Sequence, residues 1–440
     1  MMLRSPAAHL LLSLALASAC DPARGQTPAA RLGGADGHAP VETGPPNVPE
    51  FKPAFPGQTR APAVHTRTSF DVTELAGGLD QPWALAFLPD GRLLLTEKHD
   101  GELFILSADG KEKSPPVDGV PRVDGRGQGG LLDVEVGPDY AKSGLIYLSY
   151  YEPRRGGNGL AVVRGRLLLS GGTPRLQDPK VIFRMQPTLE STMHAGGRLV
   201  FMPDGKLVVT LGERSILPGR VQARDLGSDF GKIVRINPDG SVPDDNPFVA
   251  RKGARPEIWT LGHRNVLGAA LDGRGRLWVA EMGPRGGDEL NLIERGRDYG
   301  WPTIGYGEEY SGARIHASSQ APGLEQPVYY WDPVISPGAL AIYSGKLLRE
   351  WKGNFLIAGL SSQALVRLVV ENDRVVGEER LLTDRRERIR EVVEGPDGGL
   401  YLLTDDADDG KLLKLTPRTR DWGARGKERR FGEEAATTGG

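Results

Sequence analysis

The chain has 440 residues, of which 60 are glycine and 34 are proline. Because these residues interrupt the apolar runs at short intervals, the composition excludes a fold built mainly from long helices. The 55 basic and 57 acidic residues nearly cancel and form no block of one sign, which excludes the electrostatic signature of a nucleic-acid-binding protein and favours a small-molecule partner.

Residues 1–19 have the layout of a secretory signal peptide. Arg4 precedes an apolar run that is too short to span a bilayer, and small residues follow it. We therefore expect the mature chain to be exported to the periplasm. Cys20 is the only cysteine and follows the small residues directly, so it is either the lipid-carrying first residue of a membrane-tethered lipoprotein or the residue exposed by simple cleavage after Ala19.

Two further segments lack the pattern of a folded core. Residues 20–65 are rich in proline, glycine and alanine, which predicts a flexible N-terminal tether. Residues 419–440 form a charged C-terminal tail without periodicity. The interval between them, residues 66–418, is the predicted catalytic domain.

This interval repeats one unit, an apolar strand, a Pro-Asp-Gly type turn and a second apolar strand. The first copy is WALAFLPDGRLLLTEKHDGELFIL, residues 83–106, and its turn residues predict antiparallel hairpins. A small sheet buries both faces only when its neighbours stack on it, so six copies indicate an all-β protein, a six-bladed β-propeller of four-stranded antiparallel blades. The other five copies begin at Leu131, Gly197, Leu267, Ala339 and Ile389.

Several polar side chains stand at one phase of this repeat, just before the strand nearest the central channel. Because loops at one end of a propeller converge on the channel, we expect these side chains to gather at one mouth. They are Gln128 in blade 2, His194 in blade 3, Arg264 and Asn265 in blade 4, and Arg388 and Arg390 in blade 6.

Glu213 ends the strand that pairs with the one after His194, so its carboxylate can approach the imidazole. A carboxylate in that position raises the basicity of a histidine and fixes its orientation, as a general base requires. The three arginines have few acids near them in sequence, and planar guanidinium groups suit an anionic ligand with carboxylate or quinone oxygens.

Six blocks of sequence resemble, in order, the soluble aldose sugar dehydrogenases that use pyrroloquinoline quinone (PQQ). The resemblance extends over about residues 70–416. The blocks are GQGGLLDVEVGPDY, HAGGRLVFMPDGKL, GKIVRINPDGSVPDDNPF, TLGHRNVLGAAL, GPRGGDELNLI and DYGWP.

The resemblance implies an oxidation of aldoses to lactones. His194 would take the proton of the sugar C1 hydroxyl while hydride passes to PQQ, and Glu213 would orient His194. Arg264 would polarise the quinone oxygen that receives charge, and an external acceptor would then remove the electrons. The remaining implied cofactor-binding residues are Gln128, Asn265, Arg388 and Arg390.

The resemblance also implies calcium. The backbone carbonyls of Gly283 and Pro284 match those that bind a Ca²⁺ ion bridging protein and PQQ, and oxygen ligands suit this cation. Glu289 and the neighbourhood of Tyr299 match a second, structural Ca²⁺ region.

Two positions depart from the glucose-oxidising members of the family. Those members carry Asp where this chain has Glu213, and a cofactor-contacting Lys where this chain has Ser361 in blade 5. Loss of a buried ammonium partner weakens binding by about 1–3 kcal/mol, so weaker binding of PQQ is expected.

Two other functions remain open from the residues. Other six-bladed propellers hydrolyse lactones with a channel Ca²⁺, but such a site needs several carboxylate or asparagine ligands, whereas this mouth offers mainly cations. The second is a non-catalytic propeller that binds glycans or proteins.

Overall fold

The computed structural model describes residues 39–194 and 196–418. The predicted signal peptide (1–19), Cys20 and the charged tail (419–440) lie outside the described residues. Within the described ranges, no helix has the length and apolar character needed to cross a membrane.

The described residues form six antiparallel sheets. The first strand of the chain, β1 (Phe70–Leu79), joins the last sheet. The strands of blades 1 to 3 are β2 (Pro82–Phe87), β3 (Leu93–Glu97), β4 (Glu102–Leu106), β5 (Leu131–Val136), β6 (Leu145–Arg154), β7 (Gly157–Leu168), β8 (Arg175–Arg184), β9 (Gly196–Phe201), β10 (Leu207–Leu211), β11 (Lys232–Ile236) and β12 (Ile258–Leu261). The strands of blades 4 to 6 are β13 (Val266–Leu271), β14 (Leu277–Glu281), β15 (Asp288–Leu292), β16 (Tyr329–Trp331), β17 (Pro337–Ile342), β18 (Phe355–Gly359), β19 (Ala364–Glu371), β20 (Arg374–Leu381), β21 (Ile389–Glu394), β22 (Leu400–Thr404) and β23 (Gly410–Pro417). Short helices are α1 (Tyr140–Ser143), α2 (Leu217–Arg220) and a 3₁₀ turn (Arg349–Trp351).

The blades form a closed ring, which confirms the predicted six-bladed propeller. The innermost strands β2, β5, β9, β13, β17 and β21 each contact the next, and β21 contacts β2. Hydrogen bonds between the first and last strands close the ring, because β1 pairs antiparallel with β23 in the register Phe70 to Pro417. Blade 1 differs from the expected four strands. It has three, and beyond β4 only an isolated bridge from Leu106 to Lys113 precedes Pro115 and Pro116, which cannot donate to a ladder.

The repeated turn explains the hairpins. Between β2 and β3 the amide of Leu88 donates to the carbonyl of Arg92 (2.8 Å), and the amide of Gly91 donates back to Leu88 (2.9 Å). Gly91 has φ +89°, a left-handed conformation that glycine adopts without steric cost. The same pair of bonds recurs between β9 and β10, where the amide of Met202 donates to the carbonyl of Lys206 (2.8 Å) and the amide of Gly205 donates to Met202 (2.8 Å).

Side-chain hydroxyls connect successive blades next to the channel. In blades 1 to 3 a hydroxyl on the second strand donates to a carbonyl on the innermost strand of the following blade. The three bonds run from Thr96 to Leu132 (2.7 Å), from Ser149 to Gly197 (2.5 Å) and from Thr210 to Val266 (2.9 Å).

One buried arginine on β9 contacts every other blade. Arg198 is 7% exposed. Its partners in blade order are the Trp83 ring (4.6 Å from Cζ to the ring centroid), Asp133 Oδ1 (3.0 Å), the Leu267 carbonyl (3.1 Å), the Gly338 carbonyl (3.3 Å) and Glu391 Oε2 (2.7 Å). Burial raises the pKa of Glu391 to about 7, while the charge of Arg198 opposes that shift. The guanidinium thus joins the six blades at the channel.

The described part of the predicted tether, residues 39–65, is packed against the propeller. The amide of Asn47 donates to Asp332 Oδ2 (2.9 Å), and Gln58 Nε2 donates to the carbonyl of Pro327 (2.8 Å). Ala61 is buried, and its amide donates to the hydroxyl of Tyr329 (2.9 Å). The expectation of a flexible tether is therefore wrong for residues 39–65. This segment has few apolar clusters of its own, but residues distant in sequence satisfy its hydrogen-bonding groups.

Replacing Arg198 should destabilise the whole ring. In Arg198→Met, two buried carboxylates lose their cation. Removal of one partner of such a pair lowers the free energy of unfolding by about 3–5 kcal/mol. The free energy of unfolding from chemical denaturation tests this, with Arg274→Met in the exposed turn between β13 and β14 as the matched control. Equal stability of the two variants would contradict the role of Arg198.

Candidate active site

His194 and Glu213 form a buried pair at one mouth of the channel. His194 Nδ1 lies 2.7 Å from Glu213 Oε1, and the two residues are 3% and 0% exposed. Main-chain bonds fix both, since His194 N donates to Gln128 Oε1 (2.9 Å) and Glu213 N donates to the Arg264 carbonyl (2.9 Å). His194 has φ +47°, a strained conformation for a residue other than glycine. The surrounding bonds hold the imidazole in this unusual position.

The environment keeps His194 neutral. Burial and the charge of Arg264 lower the pKa of His194 to about 4, although Glu213 acts in the opposite direction. A carboxylate acceptor at Nδ1 favours the tautomer with the proton on Nδ1, which leaves a lone pair on Nε2. The imidazole is thus arranged as a proton acceptor. Glu213 Oε2 is buried and has no hydrogen-bond partner among the described residues.

Arg264 is buried beside this pair and points toward the loop after β14. Its Nη1 donates to the carbonyls of Met282 (3.0 Å) and Gly283 (2.6 Å), and its amide donates to Glu281 Oε2 (2.9 Å). The guanidinium lies 5.4 Å from the centroid of the Trp301 ring. Nε of Arg264 is buried without a partner among the described residues, so one donor remains for a ligand or water.

Asn265 anchors the start of β9. Its Oδ1 accepts from the amide of Gly196 (3.1 Å), and its Nδ2 lies 3.9 Å from Met282 Sδ, a weak contact. The amide side chain is buried and retains donor capacity on the channel side of the blade.

Arg388 and Arg390 are paired, contrary to the expectation that few acids lie near them. Asp405 Oδ2 accepts from Nε and Nη2 of Arg388 (3.0 and 2.8 Å), and Oδ1 accepts from the same two atoms of Arg390 (3.1 and 2.9 Å). Burial opposes ionisation of Asp405, but Arg390 and Arg388 lower its pKa to about 2. Asp405 follows β22 and reaches the arginines only through the β21–β22 hairpin, so neighbours in sequence do not reveal it.

A cavity of about 190 Å³ lies at this mouth. Its charged lining consists of Lys98, Arg388, Arg390 and Asp405. The other lining residues are Trp83, Gln128, Leu132, Gly196, Leu267, Met282 and Leu360. Sequence reasoning missed Lys98, although it follows β3 at nearly the phase at which Glu213 follows β10.

A smaller cavity of about 20 Å³ adjoins the loop after β14. His194, Glu213 and Asn265 line neither this cavity nor the larger one. Arg264 and all four predicted calcium residues line it, namely Gly283, Pro284, Glu289 and Tyr299. Met282 lines both cavities. Three predicted cofactor residues, Gln128, Arg388 and Arg390, and the predicted metal residues thus line two cavities that share Met282. A volume of this size holds one water-sized group.

Two carboxylates stand together beside the small cavity. Asn291 Nδ2 donates to both Glu281 (3.1 Å) and Glu289 (3.0 Å), and His263 Nδ1 lies 3.0 Å from Glu281. Burial and the charge of Glu281 raise the pKa of Glu289 well above its usual range. Within the described ranges, no cluster of three or more His, Cys, Asp or Glu side chains is arranged to hold a metal, so a cation here would also need backbone or water oxygens.

Ser361 lies outside both cavities. Its side chain is exposed, and its Oγ is 3.4 Å from the carbonyl of Val334. Blade 5 therefore contributes Leu360 to the larger cavity and no charge.

A family model described as Glucose / Sorbosone dehydrogenase matches residues 79–414. The chain belongs to this family. Aldose sugar dehydrogenase YliI of Escherichia coli (strain K12) is 44% identical over 352 residues, which cover 79% of this chain and 93% of YliI. The family membership confirms the resemblance to PQQ-type aldose sugar dehydrogenases and identifies the chain as an oxidoreductase of that group.

Solved structures of glucose/sorbosone dehydrogenases superpose on the propeller. The soluble aldose sugar dehydrogenase of Escherichia coli in its apo-form has a TM-score of 0.75 at 44% identity and covers 80% of this chain and 100% of its own. The PQQ-bound aldose sugar dehydrogenase of Streptomyces coelicolor has a TM-score of 0.65 at 28% identity and covers 79% of this chain and 99% of its own.

His194 should remain neutral well below the usual histidine range. With a pKa of about 4, its ring is deprotonated above about pH 5, whereas an ordinary histidine titrates near 6.5. NMR titration of ¹⁵N-labelled histidines measures this directly, and His194→Gln assigns the resonance. A midpoint near 6.5 for His194 would contradict the buried, neutral imidazole.

Proposed function

We propose that this enzyme is a PQQ- and Ca²⁺-dependent aldose dehydrogenase that oxidises the anomeric carbon to a lactone, with His194 as the general base. The observation that carries the proposal is the neutral imidazole of His194, which Glu213 holds in place. The main-chain amide of His194 donates to Gln128, a residue that lines the cationic cavity. A base and an anion-binding cavity side by side are what this oxidation requires.

The larger cavity fits PQQ, a planar quinone with three carboxylates. Lys98, Arg388 and Arg390 supply three positive charges and Asp405 one negative charge, which leaves two positive charges facing the cavity. Guanidinium and ammonium groups bind carboxylates through charge-assisted hydrogen bonds. Gln128, Asn265, Arg264, Arg388 and Arg390 are the proposed cofactor-binding residues. When bound, PQQ supplies a two-electron acceptor for the hydride from C1.

The residues of the chain handle the proton. His194 Nε2 takes the proton of the C1 hydroxyl, and the Nδ1 proton stays on the hydrogen bond to Glu213. The resulting imidazolium is stabilised by the Glu213 carboxylate at 2.7 Å, because a buried cation needs a charged partner. Burial, and next the positive charge of Arg264, lower the pKa of His194 and keep it unprotonated before each turnover.

Calcium binding is proposed at the smaller cavity. The buried carboxylate of Glu281 and the partly buried carboxylate of Glu289 share Asn291 as a donor, an arrangement that a divalent cation stabilises. The proposed ligands are the carbonyls of Gly283 and Pro284 for the ion next to PQQ, and Glu289 with Tyr299 for a second ion. Arg264 occupies the Gly283 carbonyl in this structure, so that bond must rearrange when the ion binds.

The predicted signal peptide supports a periplasmic location, and Cys20 supports a lipid tether as one alternative. The substrate is an aldose, and an external acceptor removes the two electrons after each turnover.

His194→Gln should abolish turnover while leaving cofactor binding intact. Loss of a general base lowers the rate roughly 10²–10⁴-fold. The measurement is reduction of an artificial acceptor dye by the protein reconstituted with PQQ and Ca²⁺ and supplied with a panel of aldoses. His99→Gln is the control, because His99 is half-buried and lines neither cavity. Unchanged turnover in His194→Gln would remove this residue from its role, and inactivity of the unaltered protein on every sugar would contradict the proposed function.

Ca²⁺ should raise the thermal unfolding midpoint of the protein, and Glu289→Gln should reduce that increment. At a free Ca²⁺ concentration 100-fold above the dissociation constant, a single site stabilises the folded state by about 2.7 kcal/mol. Thermal melts with chelator and with added Ca²⁺ measure the difference. Glu371→Gln, an exposed glutamate at the end of β19, is the matched control. An identical Ca²⁺ increment in Glu289→Gln and the unaltered protein would exclude this carboxylate as a ligand.

A further inference from the structure

We propose that Lys98 of blade 1 binds a carboxylate of the quinone cofactor and supplies the ammonium that Ser361 does not provide from blade 5. The proposal rests on the proposed function, because it assigns a residue to the same cofactor site. It extends that function by naming a blade that none of the predicted cofactor residues occupies.

The position of Lys98 places its side chain in the cavity. Lys98 directly follows β3, and its main chain is bonded on both sides, with its amide donating to Gln81 (3.3 Å) and its carbonyl accepting from Leu131 (2.9 Å). Its side chain lines the larger cavity together with Gln128 and Arg390. The residue is only 8% exposed, so the ammonium is not a solvated surface group.

The ammonium is poorly satisfied by the protein. A lysine ammonium carries three donors. The hydrogen bond recorded for Nζ is a long one, 3.4 Å to the carbonyl of Gly127. Burial, and next the charge of Arg390, lower the pKa of Lys98 to about 8. Burying a cation with one weak partner costs stability unless a ligand or water completes its coordination.

The neighbouring cations are already engaged. Arg388 and Arg390 each use Nε and Nη2 to bind Asp405. Asp405 therefore balances part of their charge, while Lys98 retains most of its hydrogen-bonding capacity. An anionic group entering the cavity meets its least satisfied donor at Lys98.

Blade 5 offers no alternative cation to the cavity. Ser361 is exposed and contacts the carbonyl of Val334, and Leu360 is the residue of that loop which lines the cavity. A lysine on blade 1, which only blade 6 separates from blade 5, can restore the same charge because every blade presents a loop to the shared mouth. Compared with the glucose-oxidising members that carry a lysine at the position of Ser361, the number of cations around the cofactor is then the same, although one of them comes from a different blade.

The test is equilibrium binding of PQQ to apoprotein in the presence of Ca²⁺, measured by isothermal titration calorimetry at several salt concentrations. Lys98→Met should raise the dissociation constant roughly 10- to 100-fold and reduce its dependence on salt, because one charge pair is lost. Lys98→Arg, which keeps the charge, should stay within about three-fold of the unaltered protein. Lys142→Met is the control, since Lys142 is exposed on α1 and lines neither cavity.

Thermal melts of each apoprotein separate binding from folding. PQQ affinity within about two-fold of the unaltered protein in Lys98→Met would overturn the proposal, as would weaker binding with an unchanged salt dependence, which indicates a merely structural role for the lysine. Loss of affinity in Lys98→Arg as large as in Lys98→Met would also overturn it. If the unaltered protein itself fails to bind PQQ, the proposed function falls together with this assignment.

Discussion

The ion pairs of Arg198 are the constraint on which the rest of the molecule depends. A propeller blade is a small sheet that cannot bury its own faces, so the ring is stable only if every blade is held in place against its neighbours. Arg198 satisfies this requirement at the channel, because one buried guanidinium contacts a ring, two carboxylates and two carbonyls from the five other blades. The pairing of β1 with β23 closes the same ring at its periphery.

The active-site geometry follows from that ring. His194 lies four residues before Arg198, and the strand that contains Arg198, β9, is fixed at Gly197 by the hydroxyl of Ser149 and at Leu199 by Asp133 (2.7 Å). His194, the proposed base, is therefore located by the same contacts that hold the blades together. Gln128 and Arg264 complete the link, since they bond the main chain of His194 and Glu213 from the blades on either side.

The sequence predicted the features that depend on local patterns. Turn residues between apolar runs predict hairpins, and the six copies of the strand-turn-strand unit predict the blades. The common phase of Gln128, His194 and Arg264 predicts one mouth, because loop position in a propeller is determined by strand order. In the structure Gln128 accepts from the main chain of His194, and the Arg264 carbonyl accepts from the main chain of Glu213, the partner of His194.

The features that the sequence did not predict depend on partners far apart in the chain. Asp405 contacts Arg388 and Arg390 across a hairpin and balances part of their positive charge, which their neighbours in sequence do not indicate. Lys98 lies among other charged residues in the turn EKHDGE, and only the closed ring shows that it is buried. Residues 39–65 resemble a linker in composition, yet contacts with Asp332 and Tyr329 hold them on the propeller.

The most direct test of the central claim, that this mouth joins a base to a quinone site, is an anaerobic single turnover. Protein loaded with one equivalent of PQQ and saturated with Ca²⁺ is mixed with one equivalent of an aldose in a stopped-flow spectrometer. The expected result is complete reduction of the bound cofactor, seen in its absorbance, with one equivalent of lactone formed. Bound PQQ that stays oxidised with every aldose tried would contradict the claim.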